Sequence, residues 1–342
     1  PGIVMTGRMD DKTRTQMLSL PIVDYITKDN VQAFDYLSRI LKYQLTNHKT
    51  SILVVDDSLI ARRQVCKLLA RRNFTVYEAC DGHKALEAIE EHPDITMVIT
   101  DNEMPGMGGV ELVQKLRKDH DRNKMVIIGV SGTSKEYQSA RFIKNGADDY
   151  LTKPFCPEEF YCRITQNIEK LHYLEQIERA ANTDYLTSMY NRRYFYAKAE
   201  EINQNRGDTS DIYVIAMMDI DFFKKINDTH GHDIGDQVLV ELSALCNQHF
   251  PSALTARFGG EEFAIMLSGA ELTDLESTLD AFIVAVANHV IKVKNEALQF
   301  TLSLGFTVMD ELHSIEELLA QADQALYKAK ATGRNKLVMS SS

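Results

Sequence analysis

Short apolar runs alternate with amphipathic stretches between residues 51 and 155. The runs are SILVV, FTVYEA, ITMVIT, MVIIGV and DDYLT, and each precedes a segment in which apolar residues recur every three or four positions. Short apolar runs predict strands, and a spacing of three to four predicts amphipathic helices. Five strands that alternate with five helices predict a doubly wound parallel sheet of the α/β class.

Polar residues follow most of these predicted strands. In an open parallel sheet the ligand site lies at the carboxyl ends of the strands, so these residues are candidates for chemistry. Three carboxylates in one pocket would repel each other unless a divalent cation bound them, and oxygen ligands suit Mg²⁺. Taken singly, each residue is explained equally well as a helix cap or a surface cation. The combination favours a phosphoryl-binding site made of Asp56, Asp57, Asp101, Ser131 and Lys153.

Residues 51–155 resemble a response-regulator receiver domain, which we assign to 51–156. The matching segments are VVDDS, TDNEMPGMGG, VSG and DYLTKPF. The resemblance implies that Asp101 accepts a phosphoryl group from a sensor histidine kinase or a phosphotransfer protein. It also implies that Ser131 and Lys153 hold that group and that Tyr150 is the aromatic switch. The implied Mg²⁺ ligands are Asp56, Asp57, Asp101 and the backbone carbonyl of Glu103.

Two pentapeptides of this domain recur near the start of the chain. DYITK at 24–28 matches DYLTK at 149–153, and the same offset aligns IVMTG at 3–7 with IGVSG at 128–132. We interpret residues 1–48 as the second half of another receiver, which lacks a phospho-acceptor and needs a partner surface. An unrelated amphipathic helix is the alternative. Because the first residue is Pro1, we interpret the sequence as a fragment.

A long helix is predicted over residues 157–182. The apolar positions of this segment step by threes and fours without a Gly or Pro after Pro157. They could form a dimer seam along a stalk, which we favour, or a face packed on the receiver. These positions are Phe160, Ile164, Ile168, Leu171, Leu174, Ile177 and Ala181.

Two acidic segments follow the predicted stalk. Asp219 and Asp221 lie two apart on an extended run, so their side chains share a face. LTARFGGEEFAIML predicts two strands joined by a Gly-Gly turn, with Glu261 and Glu262 at the tip. If side chains alternate strictly along the strand, the two glutamates lie on opposite faces of it, so only one is sure to face the Asp219 strand. Carboxylates on a strand and an adjacent hairpin can hold a divalent metal ion, although a plain acidic surface hairpin has the same pattern.

Residues 183–339 resemble a GGDEF-type diguanylate cyclase domain. DIDFFKKINDTHGHDIGD, RFGGEEF and ADQALYKAKATGRN match the family, and DYLTSMYNRRYF matches except at Ser188 and Met189. The resemblance implies an α+β fold with a central, mainly antiparallel sheet. It implies Mg²⁺, or alternatively Mn²⁺, held by Asp219, the carbonyl of Ile220, Glu261 and Glu262. The implied guanine contacts are Asn227, Asp236 and His232. The implied phosphate contacts are the backbone amides of Phe222 and Phe223 and the side chains of Lys224, Lys330 and Arg334.

The reaction implied by the resemblance joins two GTP molecules into cyclic di-GMP and two pyrophosphates, with Glu261 as base or metal anchor and Lys224 assisting. Because one domain holds one GTP, catalysis requires a homodimer, which phosphorylation of Asp101 would control. A catalytically silent nucleotide-binding adaptor is the alternative. The intact acidic hairpin and Asp219 favour the enzyme. If the last predicted helix extends far enough, Lys330 and Arg334 share a face of it.

Many members of this family carry an RxxD motif that binds product and inhibits the enzyme. The corresponding positions here are Phe250 and Ala253. Neither side chain can form the bidentate or charged contacts of Arg and Asp. We therefore expect no strong product inhibition through this site.

The composition of the chain limits the classes of partner that it can bind. The net charge of −11 argues against nucleic-acid or anionic-membrane partners. The apolar runs are far shorter than a membrane span. The five cysteines lack metal-site or disulfide spacing, which indicates a reduced, cytoplasmic protein.

Overall fold

The structure is a computed structural model that describes residues 2–7, 10–20, 22–28, 32–132, 137–205, 211–293, 296–310 and 312–340. The chain divides into two compact units, Pro1–Gln176 and Ile177–Ser342. None of the helices in these described ranges is long and apolar enough to span a bilayer.

The first unit begins with two parallel strands and two helices. They are β1 (Gly2–Thr6), α1 (Asp11–Ser19), β2 (Ile22–Thr27) and α2 (Gln32–Thr46), and a 3₁₀ turn follows at Asn47–Lys49. A small buried cluster of Val23, Ile26, Ala33 and Ile40 holds them together. Strand, helix, strand and helix is also the order that the second half of a doubly wound receiver sheet would have.

Polar contacts join this N-terminal segment to the rest of the first unit. Arg14 and Tyr25 both donate hydrogen bonds to Glu158. Arg72, which is 6% exposed, forms an ion pair with Asp24. Charged and hydroxyl side chains thus supply hydrogen bonds between the N-terminal segment and the rest of the first unit.

The central part of the first unit is a doubly wound parallel sheet, as predicted. Its strands lie in the order β4-β3-β5-β6-β7, all parallel, with apolar cores on both faces. Sheets covered on both faces have continuous apolar strands such as SILVV. The elements are β3 (Ser51–Val55), α3 (Leu59–Arg71), β4 (Thr75–Ala79), α4 (Gly82–Glu91), β5 (Ile95–Asp101), α5 (Gly109–Asp119), β6 (Val126–Ser131), α6 (Tyr137–Lys144), β7 (Asp149–Thr152) and α7 (Pro157–Asn182).

Helix α7 uses its apolar stripe in two ways. Its first half, with Phe160, Ile164, Ile168 and Leu171, is buried in the core of the parallel sheet. Farther along, Ile177 is 65% exposed. The packed face is thus the correct interpretation for the first half, and a dimer seam stays a prediction for the exposed second half.

The second unit is built on a six-stranded sheet in the order β15-β14-β9-β11-β10-β8. The central pairs β14-β9, β9-β11 and β11-β10 are antiparallel, and the two edge pairs are parallel. The expected α+β fold with a mainly antiparallel centre is confirmed. The elements are β8 (Tyr190–Asn191), α8 (Arg192–Gln204), β9 (Ile212–Ile220), α9 (Phe223–His230), α10 (His232–His249), β10 (Leu254–Gly259), β11 (Glu262–Gly269), α11 (Leu272–Asn288), β12 (Ile291–Val293), β13 (Glu296–Leu298), β14 (Leu302–Val308), α12 (Ile315–Ala331) and β15 (Leu337–Met339).

Strand β9 is the centre of this sheet and has a core on each side. Met218 and Ile220 face one core, and Ile215 and Met217 face the other, which α8 and α12 cover. Helix α12 approaches β14 closely at Gly305, where a Cβ atom would lie 2.0 Å from the backbone nitrogen of Leu326. This alternation puts Asp219, near the end of β9, on the face covered by α12.

Candidate functional site

Two buried carboxylates meet a lysine at the carboxyl end of the parallel sheet. Asp56 and Asp101 are 4% and 8% exposed. Lys153 places its Nζ 2.6 Å from an oxygen of each. Burial raises the pKa of Asp101, and the hydrogen bond from Lys153 opposes that rise. The structure therefore brings together three of the five predicted polar residues as one charged cluster.

Of the remaining predicted residues of this receiver site, Glu103 contacts Asp101 directly, and the others have different surroundings. The backbone nitrogen of Glu103 donates to Asp101 at 2.7 Å. Ser131 is 1% exposed and donates to Gln138 at 2.8 Å. Asp57 is exposed, and it is Ser58 rather than Asp57 that caps α3. Tyr150 is half-buried, with its ring 5.6 Å from that of Phe142.

The acidic hairpin of the second unit has a different turn from the predicted one. Gly259 pairs with Glu262, so the turn consists of Gly260 and Glu261 rather than of the two glycines. Gly260 has a φ of 53°, a conformation that glycine adopts without strain. The guanidinium of Arg257 donates to the carbonyl of Gly260 at 2.8 Å and holds the turn in place.

The pairing of β11 with β9 decides which glutamate faces Asp219. Glu262 lies directly opposite Asp219 on neighbouring antiparallel strands, so the two side chains share a face. Glu261 lies on the adjoining turn. Burial raises the pKa of Asp219 to about 6, and the charges of Glu261 and Glu262 add to this rise, whereas Lys330 lowers the pKa from 2.7 Å away. Both glutamates are thus close enough to act on Asp219.

A helix begins two residues after β9, as the predicted phosphate contacts require. Phe222 is the N-cap of α9 and Phe223 its first residue. Their amides lie at a helix N-terminus, which favours anions. Phe222 has a φ of 57° and is 60% exposed, whereas Phe223 is buried in the core.

The predicted guanine contacts lie on α9 and α10. Asn227 has a buried side-chain oxygen without a hydrogen-bond partner. That oxygen would be 1.9 Å from a Cβ atom on Gly235, so the two helices touch there. His232 and Asp236 are exposed on α10, and Lys224 is exposed on α9. An unpartnered buried acceptor beside exposed polar side chains suits a base edge that donates hydrogen bonds.

The last helix does not extend far enough for Lys330 and Arg334 to share one of its faces. Helix α12 ends at Ala331, and Arg334 follows Gly333 in a turn with a φ of 63°. Arg334 instead places its guanidinium carbon 4.4 Å from the centroid of the Phe222 ring. A glycine just beyond a periodic stretch is a known stop signal, so the sequence contained the information.

Phe250 and Ala253 belong to the packed interior. Phe250 is 4% exposed, and its ring lies 4.7 Å from that of Phe282. Ala253 packs against the same core. The positions of the RxxD motif are therefore not available as a polar surface.

Both candidate sites offer the oxygen donors that Mg²⁺ prefers. Across the described residues, no three His, Cys, Asp or Glu side chains are arranged to hold a metal ion. Lys153 and Lys330 instead contact the buried carboxylates. Mg²⁺ is commonly held by one or two carboxylates together with waters and substrate phosphates. The carboxylates present fit such a partial set.

Comparisons with known proteins match two families along the chain. A family profile described as "Response regulator receiver domain" matches residues 52–165, and one described as "Diguanylate cyclase, GGDEF domain" matches residues 181–336. Response regulator PleD from Caulobacter vibrioides is 29% identical over 298 residues, 84% of this chain and 65% of that protein. This chain thus spans less than two thirds of PleD.

Other relatives match the C-terminal half. Diguanylate cyclase DgcP from Pseudomonas aeruginosa is 36% identical over 177 residues, 51% of this chain and 26% of that protein. A crystal structure of the coiled coil and GGDEF domain of DgcB from Caulobacter crescentus is 30% identical, with a TM-score of 0.49, and covers 53% of this chain and 98% of that one. Residues 52–165 therefore belong to the receiver family and residues 181–336 to the GGDEF family, which makes this chain a response regulator with a C-terminal GGDEF domain.

Proposed function

We propose that this chain is a phosphorylation-controlled diguanylate cyclase, which condenses two GTP molecules into cyclic di-GMP and two pyrophosphates. The observation that carries the proposal is the pairing of Glu262 with Asp219, beside Glu261 on the turn. Nucleotidyl transfer needs carboxylates gathered in this way. The relatives named diguanylate cyclase support the same reaction.

Each copy of the second unit binds one GTP in this proposal. Asn227 and Asp236 contact the guanine edge, and His232 lines that pocket. The amides of Phe222 and Phe223 bind the β- and γ-phosphates. Three cations neutralise the triphosphate, and they are Lys224, Lys330 and Arg334.

Glu261 accepts the proton of a 3′-hydroxyl while that oxygen attacks the α-phosphorus of the facing GTP. The bond from the α-phosphorus to the bridging oxygen breaks, and pyrophosphate leaves. Mg²⁺ or Mn²⁺ bound by Asp219, Glu261, Glu262 and the Ile220 carbonyl would lower the pKa of the hydroxyl and neutralise phosphate charge. A second, opposite attack closes the ring, so two GTP-loaded copies must face each other in a homodimer.

The receiver supplies the control. A carboxylate oxygen of Asp101 attacks the phosphorus of a phosphohistidine in a sensor kinase or phosphotransfer protein, and the nitrogen–phosphorus bond breaks. Asp56 and Asp57 would hold Mg²⁺, which would neutralise phosphoryl charge. Lys153 already contacts the Asp101 carboxylate and remains there to neutralise the phosphoryl oxygens, with the hydroxyl of Ser131. GTP as substrate and the free cysteines support a cytoplasmic location.

The experiment is GTP turnover in the presence of Mg²⁺, with and without beryllofluoride, which mimics the phosphoryl group on Asp101. We expect cyclic di-GMP to form and its rate to rise several-fold with beryllofluoride. Fluoride alone is the control. GTP binding without any turnover in either condition would contradict the proposal and favour a nucleotide-binding adaptor.

A further inference from the structure

Asp221 is the second carboxylate in the segment that carries Asp219, yet its surroundings differ. It is 4% exposed. Its Oδ1 accepts from the Ser303 hydroxyl at 2.7 Å. Its Oδ2 accepts from the Thr301 hydroxyl at 2.7 Å and from the backbone nitrogen of Asn335 at 3.0 Å. Both oxygens are thus occupied by donors of the protein itself.

The residues that Asp221 joins carry two strained turns. Phe222 follows it directly with a φ of 57°, and Arg334 and Asn335 have φ values of 63° and 46°. Residues other than glycine adopt this conformation where their surroundings hold them in it. The bond from Asp221 to Asn335 holds the second turn, and the first begins at Asp221 itself.

These two turns carry the groups assigned to the triphosphate. One presents the amides of Phe222 and Phe223, and the other presents Arg334. The contact of the Arg334 guanidinium with the Phe222 ring, at 4.4 Å, joins them a second time. Their separation determines whether amides and guanidinium reach the same phosphates, and an error of about 1 Å in such a site is costly.

We infer that Asp221 is a positioning residue for the triphosphate and not a metal ligand. It fixes the loop after β9 to the turn after α12, so that the amides and Arg334 converge on the β- and γ-phosphates. The inference rests on the proposed binding of GTP by this unit. This role differs from that of Asp219, which is a proposed metal ligand, although alternation along the strand places both side chains on the same face.

The test compares Asp221→Asn and Asp221→Ala in the full chain. The probes are GMP and a GTP analogue that cannot be cleaved between its α- and β-phosphates. Asparagine keeps an acceptor oxygen for Asn335, and its amide can donate to the Ser303 hydroxyl, so we expect affinity for the analogue within about threefold of the unsubstituted chain. Alanine removes all three bonds, and we expect a loss of about tenfold or more for the analogue but less than about twofold for GMP.

Thr301→Val removes one of these bonds without changing side-chain size, which covers the case in which the alanine variant does not fold. Thr307→Val is the matched control, because Thr307 is a buried threonine on β14 that donates to Gln321 instead. We expect only Thr301→Val to weaken binding of the analogue. In a double-mutant cycle, the variant with both Asp221→Ala and Arg334→Ala should lose less affinity for the analogue than the product of the losses measured for the two single variants.

Equal losses for the asparagine and alanine variants, or equal losses for GMP and the analogue, would overturn the positioning role while leaving the proposed function intact. No binding of either nucleotide by the unsubstituted chain would overturn both.

Discussion

At the scale of single residues, the catalytic proposal depends on a half-buried glutamate, Glu261, and an exposed one, Glu262, beside a buried aspartate. Asp219 is 6% exposed, whereas Glu262 lies at the exposed start of β11. Because neither glutamate belongs to a hydrophobic core, each can be replaced without a loss of packing.

We predict that Glu261→Ala and Glu262→Ala each lower the rate of cyclic di-GMP formation by about 100-fold or more, since each removes a carboxylate from the metal site. The melting temperature should stay within about 2 °C of the unsubstituted chain. Glu271→Ala, at another exposed position of the same unit, is the control and should keep full activity. Near-normal turnover in both hairpin variants would disprove the site assignment.

The substitution Asp101→Asn tests whether Asp101 is the phospho-acceptor. The asparagine keeps the size of the side chain but cannot form an acyl phosphate, so acetyl phosphate should no longer label the chain. The basal rate should persist, and beryllofluoride should have no effect on it. Labelling of this variant at the normal level would mean that another residue is the phospho-acceptor.

At the scale of elements, the N-terminal segment contacts the first turn of α7 through hydrogen bonds to Glu158. Burial alone would raise the pKa of Glu158, but hydrogen bonds from Arg14 and Tyr25 lower it from 4.5 to about 2. A lowered pKa means that the folded protein binds this proton less readily than the unfolded chain. The stabilisation is therefore complete above pH 4.5 and is lost as the pH falls towards 2.

We predict that Glu158→Gln lowers the free energy of unfolding of the first unit by about 1 kcal/mol at pH 7, a modest value because the ion pair is partly exposed to solvent. The difference from the unsubstituted chain should shrink between pH 4.5 and pH 2. Calorimetric melting at several pH values measures it. Glu159→Gln, in the same helical turn, is the control. A difference that did not change with pH would show that the charge of Glu158 is not responsible.

The elements also show what the sequence could and could not predict. Apolar runs and their spacing were enough to predict the parallel sheet, because burial determines that pattern. The mainly antiparallel sheet of the second unit was expected from the family resemblance instead. The face of Glu262 was not predictable, since it depends on the register between β9 and β11, and a slip of one residue in that register would reverse every side chain. The partners of Asp221 were equally hidden, because Thr301 and Ser303 lie about eighty residues away in the chain.

At the scale of the whole molecule, control of the rate is expected to come from the receiver and not from the product. Phe250 and Ala253 occupy the positions of the RxxD motif; Phe250 is buried in the core, and Ala253 is half-buried against it. We predict that cyclic di-GMP added to the active enzyme gives no non-competitive inhibition at low micromolar concentration. Inhibition in that range, measured by initial rates at several GTP concentrations, would mean that another surface binds the product.

The position of Phe250 also limits how such feedback could evolve. An arginine at this position would have to leave the contact with Phe282 or bury its charge there. Either outcome would weaken the fold before any nucleotide could bind, so a lineage that carries this chain cannot gain product feedback by restoring the motif one residue at a time. The end of α10 would first have to be rebuilt so that position 250 reached solvent. Under the proposed function, dependence on an upstream phosphoryl donor would therefore be hard to reverse.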